Sequence, residues 1–206
     1  MKLLIISASQ RKLSQSAKVA QYFAESVSGY EEIVHLELCQ YQLPYWDGEQ
    51  SSKLSQATDW PMIYKHIQTS DAFIAITPEW GGMATPLLKN FLLMCASQDT
   101  AHKPILLTSI SNGVSGVFPI AELRMNAFRN NKLVVIADHL VIRNVEEVLN
   151  PISVSNSKIS TRDSSIRHRI GYTLHTLQKY SKHFKALRAE FLSQPYDNEE
   201  LYPYGM

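Results

Sequence analysis

Cysteine is scarce in this chain: Cys39 and Cys95 are the only two among 206 residues, and they form no C-x-x-C pair. That excludes a disulfide scaffold and a C-x-x-C redox or zinc motif. Two distant free thiols point to a reducing, cytoplasmic setting. An excess of one charge sign is also lacking, because 20 Lys and Arg face 19 Asp and Glu. No basic block signals nucleic acid, and no polybasic patch signals a membrane surface. The apolar run after Lys2 is too short for a signal peptide or a bilayer span. Neither G-x-G-x-x-G nor G-x-x-x-x-G-K-[ST] occurs, which argues against a Rossmann dinucleotide site and a P-loop nucleotidase. The histidines make no cluster. His168, His175 and His183 share one expected helix, but two turns separate neighbours by roughly 10 Å, so no metal site is expected.

What is present is alternation. Short apolar runs at 2–7, 32–37, 72–77, 104–109 and 133–137 read as strands. Segments with helical spacing lie at 15–28, 58–69, 85–97, 117–130 and 167–193. Such alternation gives an α/β fold with a parallel sheet and helices on both faces. Five strands suggest the order 2-1-3-4-5, whose switch point, where ligands bind, lies between the first and third strands. Residues 1–194 read as one domain. The stretch 150–165, rich in Ser, Asn and Thr, reads as a polar excursion. Residues 195–206 read as a tail, which Tyr196, Tyr202 and Tyr204 make too aromatic to hang in water.

Two loops follow the first and third strands. After Lys2–Ile6 comes Ser7-Ala8-Ser9-Gln10-Arg11-Lys12-Leu13-Ser14-Gln15-Ser16, then a helix with Ser14 as N-cap and Gly29 as C-cap. Hydroxyls and free amides at a helix N-terminus attract phosphate, and Arg11 adds a permanently charged fork. After Phe73–Ile76 comes Thr77-Pro78-Glu79-Trp80-Gly81-Gly82, and then Thr85 and Pro86 start a helix as N-cap and first residue. A flat, polar-edged ring fits there. Ser111-Asn112-Gly113-Val114-Ser115-Gly116 forms a third loop. Gly81, Gly82, Gly113 and Gly116 are half of the eight glycines, and glycine permits close backbone approach.

These loops, in this order, resemble those of the NAD(P)H-dependent FMN reductase family of the flavodoxin-like fold. There the first loop usually reads G-S-x-R-x-x-S, and Ala8 to Ser14 matches except at the glycine. The second usually reads T-P-E-Y-N-G-S-x-P-x-x-L-K-N. Here Thr77-Pro78-Glu79-Trp80-Gly81-Gly82-Met83 leads into Leu88-Lys89-Asn90. The resemblance covers roughly residues 1–140.

The resemblance implies a flavodoxin-like three-layer sandwich that binds FMN without a covalent link, with NADPH or NADH as cosubstrate. Ser9, Arg11, Ser14, Gln15 and Ser16 would hold the phosphate. Pro78, Glu79, Trp80, Gly81, Gly82, Ser111 and Gly113 would border the ring. FMN carries its own chemistry, so the lack of a convincing nucleophile counts little. The implied activity passes reducing equivalents to a small-molecule electron acceptor: a flavin, a quinone, an azo compound or a metal oxyanion. The alternative is a flavin-binding electron carrier or interaction module without nicotinamide turnover. Flavodoxin carriers are usually strongly acidic, which favours the enzyme. A homodimer or tetramer is expected, partly from the family. The last helix, roughly 40 Å long, and the aromatic tail also look long enough to reach a neighbouring subunit. Arg124 and Arg129 read as solvated or as interface residues.

Overall fold

The computed structural model describes residues 1–55, 57–151 and 159–203. Tyr204 and positions 152–158 of the polar excursion lie outside the described residues. Five strands form: β1 (Lys2–Ser7), β2 (Glu32–Glu37), β3 (Ala72–Pro78), β4 (Pro104–Ile110) and β5 (Val134–Ile142). All pair in parallel, in the order 2-1-3-4-5. The helices are α1 (Gln15–Ser26), α2 (Gln50–Lys53), α3 (Trp60–Thr69), α4 (Pro86–Met94), α5 (Ser97–Thr100), α6 (Phe118–Asn126) and α7 (Thr161–Ser193). The expected flavodoxin-like architecture is present.

Alternate side chains of each strand divide the core. Leu4, Ile6, Phe73, Ala75, Ile105 and Leu107 pack on one face against Ile63, Leu88, Phe91 and Leu123 of α3, α4 and α6. Leu3, Ile5, Ile74, Ile76 and Leu106 pack on the other against Val19 and Phe23 of α1 and Ile170, Leu174 and Leu177 of α7. Both faces of the central strands are covered, which is why β1, β3 and β4 read as unbroken apolar runs.

Three boundaries differ from expectation in ways that have a physical cause. Strand β5 runs to Ile142, past the polar pair Asp138-His139 that made the run look finished. A register shift between Ile105 and Leu107 of its partner takes up the extra residues. The bulge frees carbonyls, and Arg124 caps them by donating to Ile136 O at 2.8 Å and Ala137 O at 3.0 Å. Arg124 is therefore a strand anchor rather than a solvated charge. Helix α7 starts at Thr161, six residues early, because Ser160 accepts a hydrogen bond from the Asp163 amide at 3.1 Å. That serine-to-acid spacing is a capping signal within an otherwise loop-like composition. Gly29 lies two residues beyond the α1 cap, Val27. Its φ is +83°, and a methyl group there would come within 2.9 Å of the Gln178 side chain, which explains why glycine stands at this position.

Candidate active site

Three loops meet at the carboxyl edge of β1, β3 and β4. The first is fixed from below. The amide of Ala8 donates to Ile76 O at 2.9 Å and extends the sheet by one rung. Its carbonyl accepts from Thr85 Oγ1 at 2.7 Å. Thr85 also caps α4 by accepting from the Leu88 amide, and its own amide donates to Thr77 Oγ1. One buried threonine thus ties the first loop to the second. Further along, Ser9 Oγ accepts from the Arg11 amide at 3.2 Å. Leu13 is fully exposed at a φ of +53°, a conformation that costs leucine roughly 1–2 kcal/mol. Ser14 then caps α1 by accepting from the Ala17 amide at 3.1 Å. Helix geometry leaves the amides of Gln15 and Ser16 without intrahelical acceptors.

The second loop closes on itself. Trp80 and Met83 exchange both backbone hydrogen bonds at 3.1 Å. Gly81 and Gly82 between them have φ of +59° and +78°, the mirror-image turn that demands positive φ at both central residues. A methyl group at Gly82 would meet nothing within 4 Å. The turn, rather than a crowded backbone, explains the glycine pair. The Arg11 guanidinium lies 5.4 Å from the centre of the Trp80 ring, so the two loops touch through a cation over an aromatic face. Behind the turn, Glu122 accepts from the Ala84 amide at 2.7 Å and from Lys89 Nζ at 2.9 Å. Asn90 holds Pro44 O and the Trp46 amide, each at 2.8 Å. Lys89 and Asn90 are therefore loop anchors.

The third loop is clamped to the second, because Ser115 Oγ donates to Glu79 Oε1. Ser111 Oγ donates to Gly113 O and Ser115 O, and Arg143 Nε donates to Ser115 O at 2.8 Å. Gly116 is the glycine this loop cannot replace. Its φ is +113°, and a methyl there would come within 2.8 Å of Val141. A fourth wall, unforeseen in the sequence, comes from Val145 and Glu146 just after β5. Lys18 of α1 holds it by donating to Val145 O at 2.6 Å, Val148 O at 2.9 Å and Asn150 Oδ1 at 2.9 Å. Burial lowers the pKa of Lys18, against the pull of Asp163 and Glu146.

Together these loops enclose a cleft of about 370 Å³. Of the twelve residues expected at a site, nine line it: Ser9, Arg11, Ser14, Gln15 and Ser16 from the first loop and the start of α1, and Pro78, Glu79, Trp80 and Ser111 from the second and third loops. Gly81, Gly82 and Gly113 belong to the same loops but do not line the cleft. Leu13, Ile110, Asn112, Val145 and Glu146 complete it. A wider apolar groove along α7, from Lys179 to Glu190, lies apart from all of these residues.

The cleft walls carry unmet hydrogen-bonding capacity. Ser16 Oγ, Gln15 Oε1 and Glu79 Oε2 are buried and have no partner. A buried polar atom left unpaired costs about 1–3 kcal/mol, so each one calls for an explanation; Asp99 Oδ2, Thr108 Oγ1 and Ser109 Oγ, which do not line the cleft, are unpaired as well. Ser16 Oγ and the two free amides form a donor set at a helix N-terminus, suited to a phosphate. On the second loop, Glu79 Oε2 presents an acceptor with nothing to accept from.

Residues 1–147 match the NADPH-dependent FMN reductase family. The chain belongs to that family. A curated relative, an NADPH azoreductase from Bacillus sp. (strain OY1-2), is 29% identical over 116 residues, which is 56% of this chain and 62% of the relative. The chain thus spans under two thirds of that relative's length. Among solved structures, an oxidoreductase from Corynebacterium diphtheriae superposes with a TM-score of 0.66 at 13% identity, covering 88% of this chain and 97% of that one. FerB, a flavoenzyme NAD(P)H:(acceptor) oxidoreductase from Paracoccus denitrificans, gives 0.63 at 17% identity, covering 89% and 98%. These structural likenesses establish the fold.

Family membership puts the departures from its usual motifs in a clear light. Ala8 stands where glycine is usual. It is fully buried, its backbone needs no positive φ, and its amide and carbonyl are both paired. The extra methyl is absorbed by the core and does not intrude on the cleft. Gly81 and Gly82 replace Asn-Gly, another pair that supports the same turn.

Proposed function

We propose that this chain is an FMN-dependent NAD(P)H oxidoreductase that delivers reducing equivalents to a small-molecule acceptor such as a flavin, a quinone, an azo compound or a metal oxyanion. The observation that carries this reading is the buried, unpaired Ser16 hydroxyl beside two free helix-terminal amides in a cleft at the switch point. Bound FMN would supply the redox chemistry, accepting a hydride from the nicotinamide and passing electrons onward.

The chain's own residues bind and orient. Ser9, Ser14 and Ser16, with the Gln15 amide, would hold the phosphate, and Arg11 would neutralise it. The Gln15 side chain, turned end for end, would donate as well. Trp80 and Pro78 would flank the ring, and Glu79, steadied by Ser115, would accept from a ring N–H. Lys18 keeps the Val145–Glu146 wall of the cleft in place. No side chain need act as a nucleophile.

Residues 1–194 would form the FMN-binding domain, with 195–206 as its tail. In the described part, Tyr202 O accepts from Lys132 Nζ at 2.6 Å and Pro203 O from Ser97 Oγ at 2.7 Å. A homodimer or tetramer is part of the reading. Past Ser181 no side chain of α7 is fully buried, yet the helix continues for three more turns with an apolar groove of about 600 Å³. Exposed Val114 in the third loop and Phe118 at the start of α6 add apolar surface there. The cytoplasm is the proposed location, on the two free thiols. Among the described residues no helix is long and apolar enough to cross a membrane.

Anaerobic mixing of the FMN-loaded protein with NADPH and with NADH is the test. Bleaching of the flavin, followed by its reoxidation on adding an acceptor, is expected. Bound flavin that neither nucleotide reduces would leave the electron-carrier alternative standing instead.

A further inference from the structure

The third loop of the cleft carries the chain's only Asn-Gly pair, Asn112-Gly113. The loop is pinned at both ends. At its start the Ser111 amide donates to Ile142 O at 3.0 Å, and at its end Ser115 O accepts from Arg143 Nε at 2.8 Å. Between these pins Asn112, Gly113 and Val114 are exposed. Among the described residues neither the Gly113 amide nor the Asn112 side chain makes a hydrogen bond; only Gly113 O is engaged, by Ser111 Oγ. The space beside Gly113 is open, since a methyl group there would meet nothing within 4 Å. Asn112 also lines the cleft.

An asparagine side chain is open to attack by the amide nitrogen of the next residue when that nitrogen is unpaired and unhindered, and glycine hinders it least. Other asparagines of the chain show what prevents this. Asn90 and Asn131 are held at both side-chain atoms. Asn144 is followed by Val145, whose amide donates to Ser111 O at 3.2 Å. Asn150 is followed by Pro151, which has no amide hydrogen to lose. The related pair Asp47-Gly48 is protected by its charge. Asp47 accepts from Ser52 Oγ at 2.6 Å and from the Glu49 amide at 2.9 Å, which lowers its pKa and keeps it ionised, a poor electrophile.

We propose that Asn112 is a self-modifying site whose deamidation ages the cleft. Gly113 N forms a bond to Asn112 Cγ, the Cγ–Nδ2 bond breaks, and the amide nitrogen leaves as ammonia with the proton given up by Gly113 N. The product is a cyclic imide. Water opens it at either carbonyl, giving aspartate or isoaspartate; nothing is oxidised or reduced. Either product adds a negative charge to the wall of a cleft that Glu79 and Glu146 already line. Isoaspartate also adds a methylene to the backbone between Ser111 and Ser115, the residue that holds Glu79. On the oxidoreductase reading above, on which this consequence rests, the aged cleft binds the anionic flavin more weakly.

The test is peptide mapping by mass spectrometry after the full chain, without ligand, has been stored in mildly alkaline buffer at physiological temperature. The peptide holding Asn112 should turn acidic ahead of every peptide holding another asparagine, and an isoaspartyl methyltransferase should label it. A Gly113→Ala variant, placed in open space and outside the left-handed region, should keep the fold by circular dichroism and retain the amide severalfold longer. An Asn112 still intact when other asparagines have converted, or a Gly113→Ala variant that converts as fast as the wild type, would overturn the proposal. Fluorescence titration with FMN reads the consequence. Converted wild type should bind roughly fivefold more weakly than fresh protein, the effect of one like charge in a half-solvated cleft, while stored Gly113→Ala should bind as it does when fresh. Unchanged affinity after full conversion would overturn the ageing of the cleft. Fresh protein that binds no FMN would strike the oxidoreductase reading instead, and the mapping, which needs no flavin, would keep its own result.

Discussion

Replacing Ser16 by alanine should move stability and ligand affinity in opposite directions. In the ligand-free protein its hydroxyl is buried without a partner. Removing it relieves an unmet hydrogen bond, an effect of about 1 kcal/mol at the lower end of the range for buried unpaired groups. The net effect is a gain of about 1 kcal/mol, which for a chain of this size raises Tm by about 2–4 °C. FMN binding should suffer. A hydrogen bond to a charged phosphate contributes about 1.5–3 kcal/mol, so affinity should fall roughly ten- to hundredfold. At a fixed excess of FMN, each tenfold loss removes about 1.4 kcal/mol of ligand-induced stabilisation. The order of the two Tm values should therefore reverse between apoprotein and FMN-saturated protein. Thermal melts with and without FMN, with a fluorescence titration, read both effects. A variant whose apoprotein is less stable and whose FMN affinity is unchanged would refute the reasoning, because the hydroxyl would then serve the fold alone.

Three other outcomes follow from the geometry. Gly116→Ala meets Val141 at 2.8 Å and a φ of +113°, and should cost about 2–3 kcal/mol in urea unfolding; Gly82→Ala, with open space around it, should cost only about 1 kcal/mol, and equal costs would contradict this. Burial, reinforced by Arg188, pushes the Lys103 ammonium from 10.5 down to about 8. Below pH 8 both folded and unfolded chains hold that proton; between about 8 and 10.5 only the unfolded chain does, so the group adds stability as pH rises. The wild type should therefore gain stability relative to Lys103→Met across that window, and a flat difference would count against the assignment. Cys95 is 5% exposed, and burial pushes its thiol up to about 12. A thiol reagent at pH 8 should therefore modify only Cys39 in the native protein and both thiols in denaturant; two reactive thiols in the native state would show that the α4 end opens.

The central strands and the starts of α1 and α4 were legible because their signals are local. Buried parallel strands read as apolar runs, and Ser14 and the Thr85-Pro86 pair announce their helices through capping chemistry. The site's fourth wall was not legible. Lys18 and Val145 are 127 residues apart, and nothing in the spacing of either announces the other. Gly113 and Gly116 look alike in sequence, and only the approach of Val141 makes one of them obligatory. Gly81-Gly82 suggested a ring lying close to the backbone, whereas the dihedrals show a turn requirement. The end of β5 was hidden by Asp138-His139, which a strand tolerates here because a bulge shifts its register and Arg124 takes the freed carbonyls.

A crystal structure of the chain with FMN tests the central claim most directly. The account predicts the phosphate within about 3 Å of Ser16 Oγ and of the Gln15 and Ser16 amides, with the ring between Trp80, Glu79 and the 111–116 loop. Flavin density elsewhere, for example in the apolar groove along α7, with Ser16 still unpaired, would contradict it.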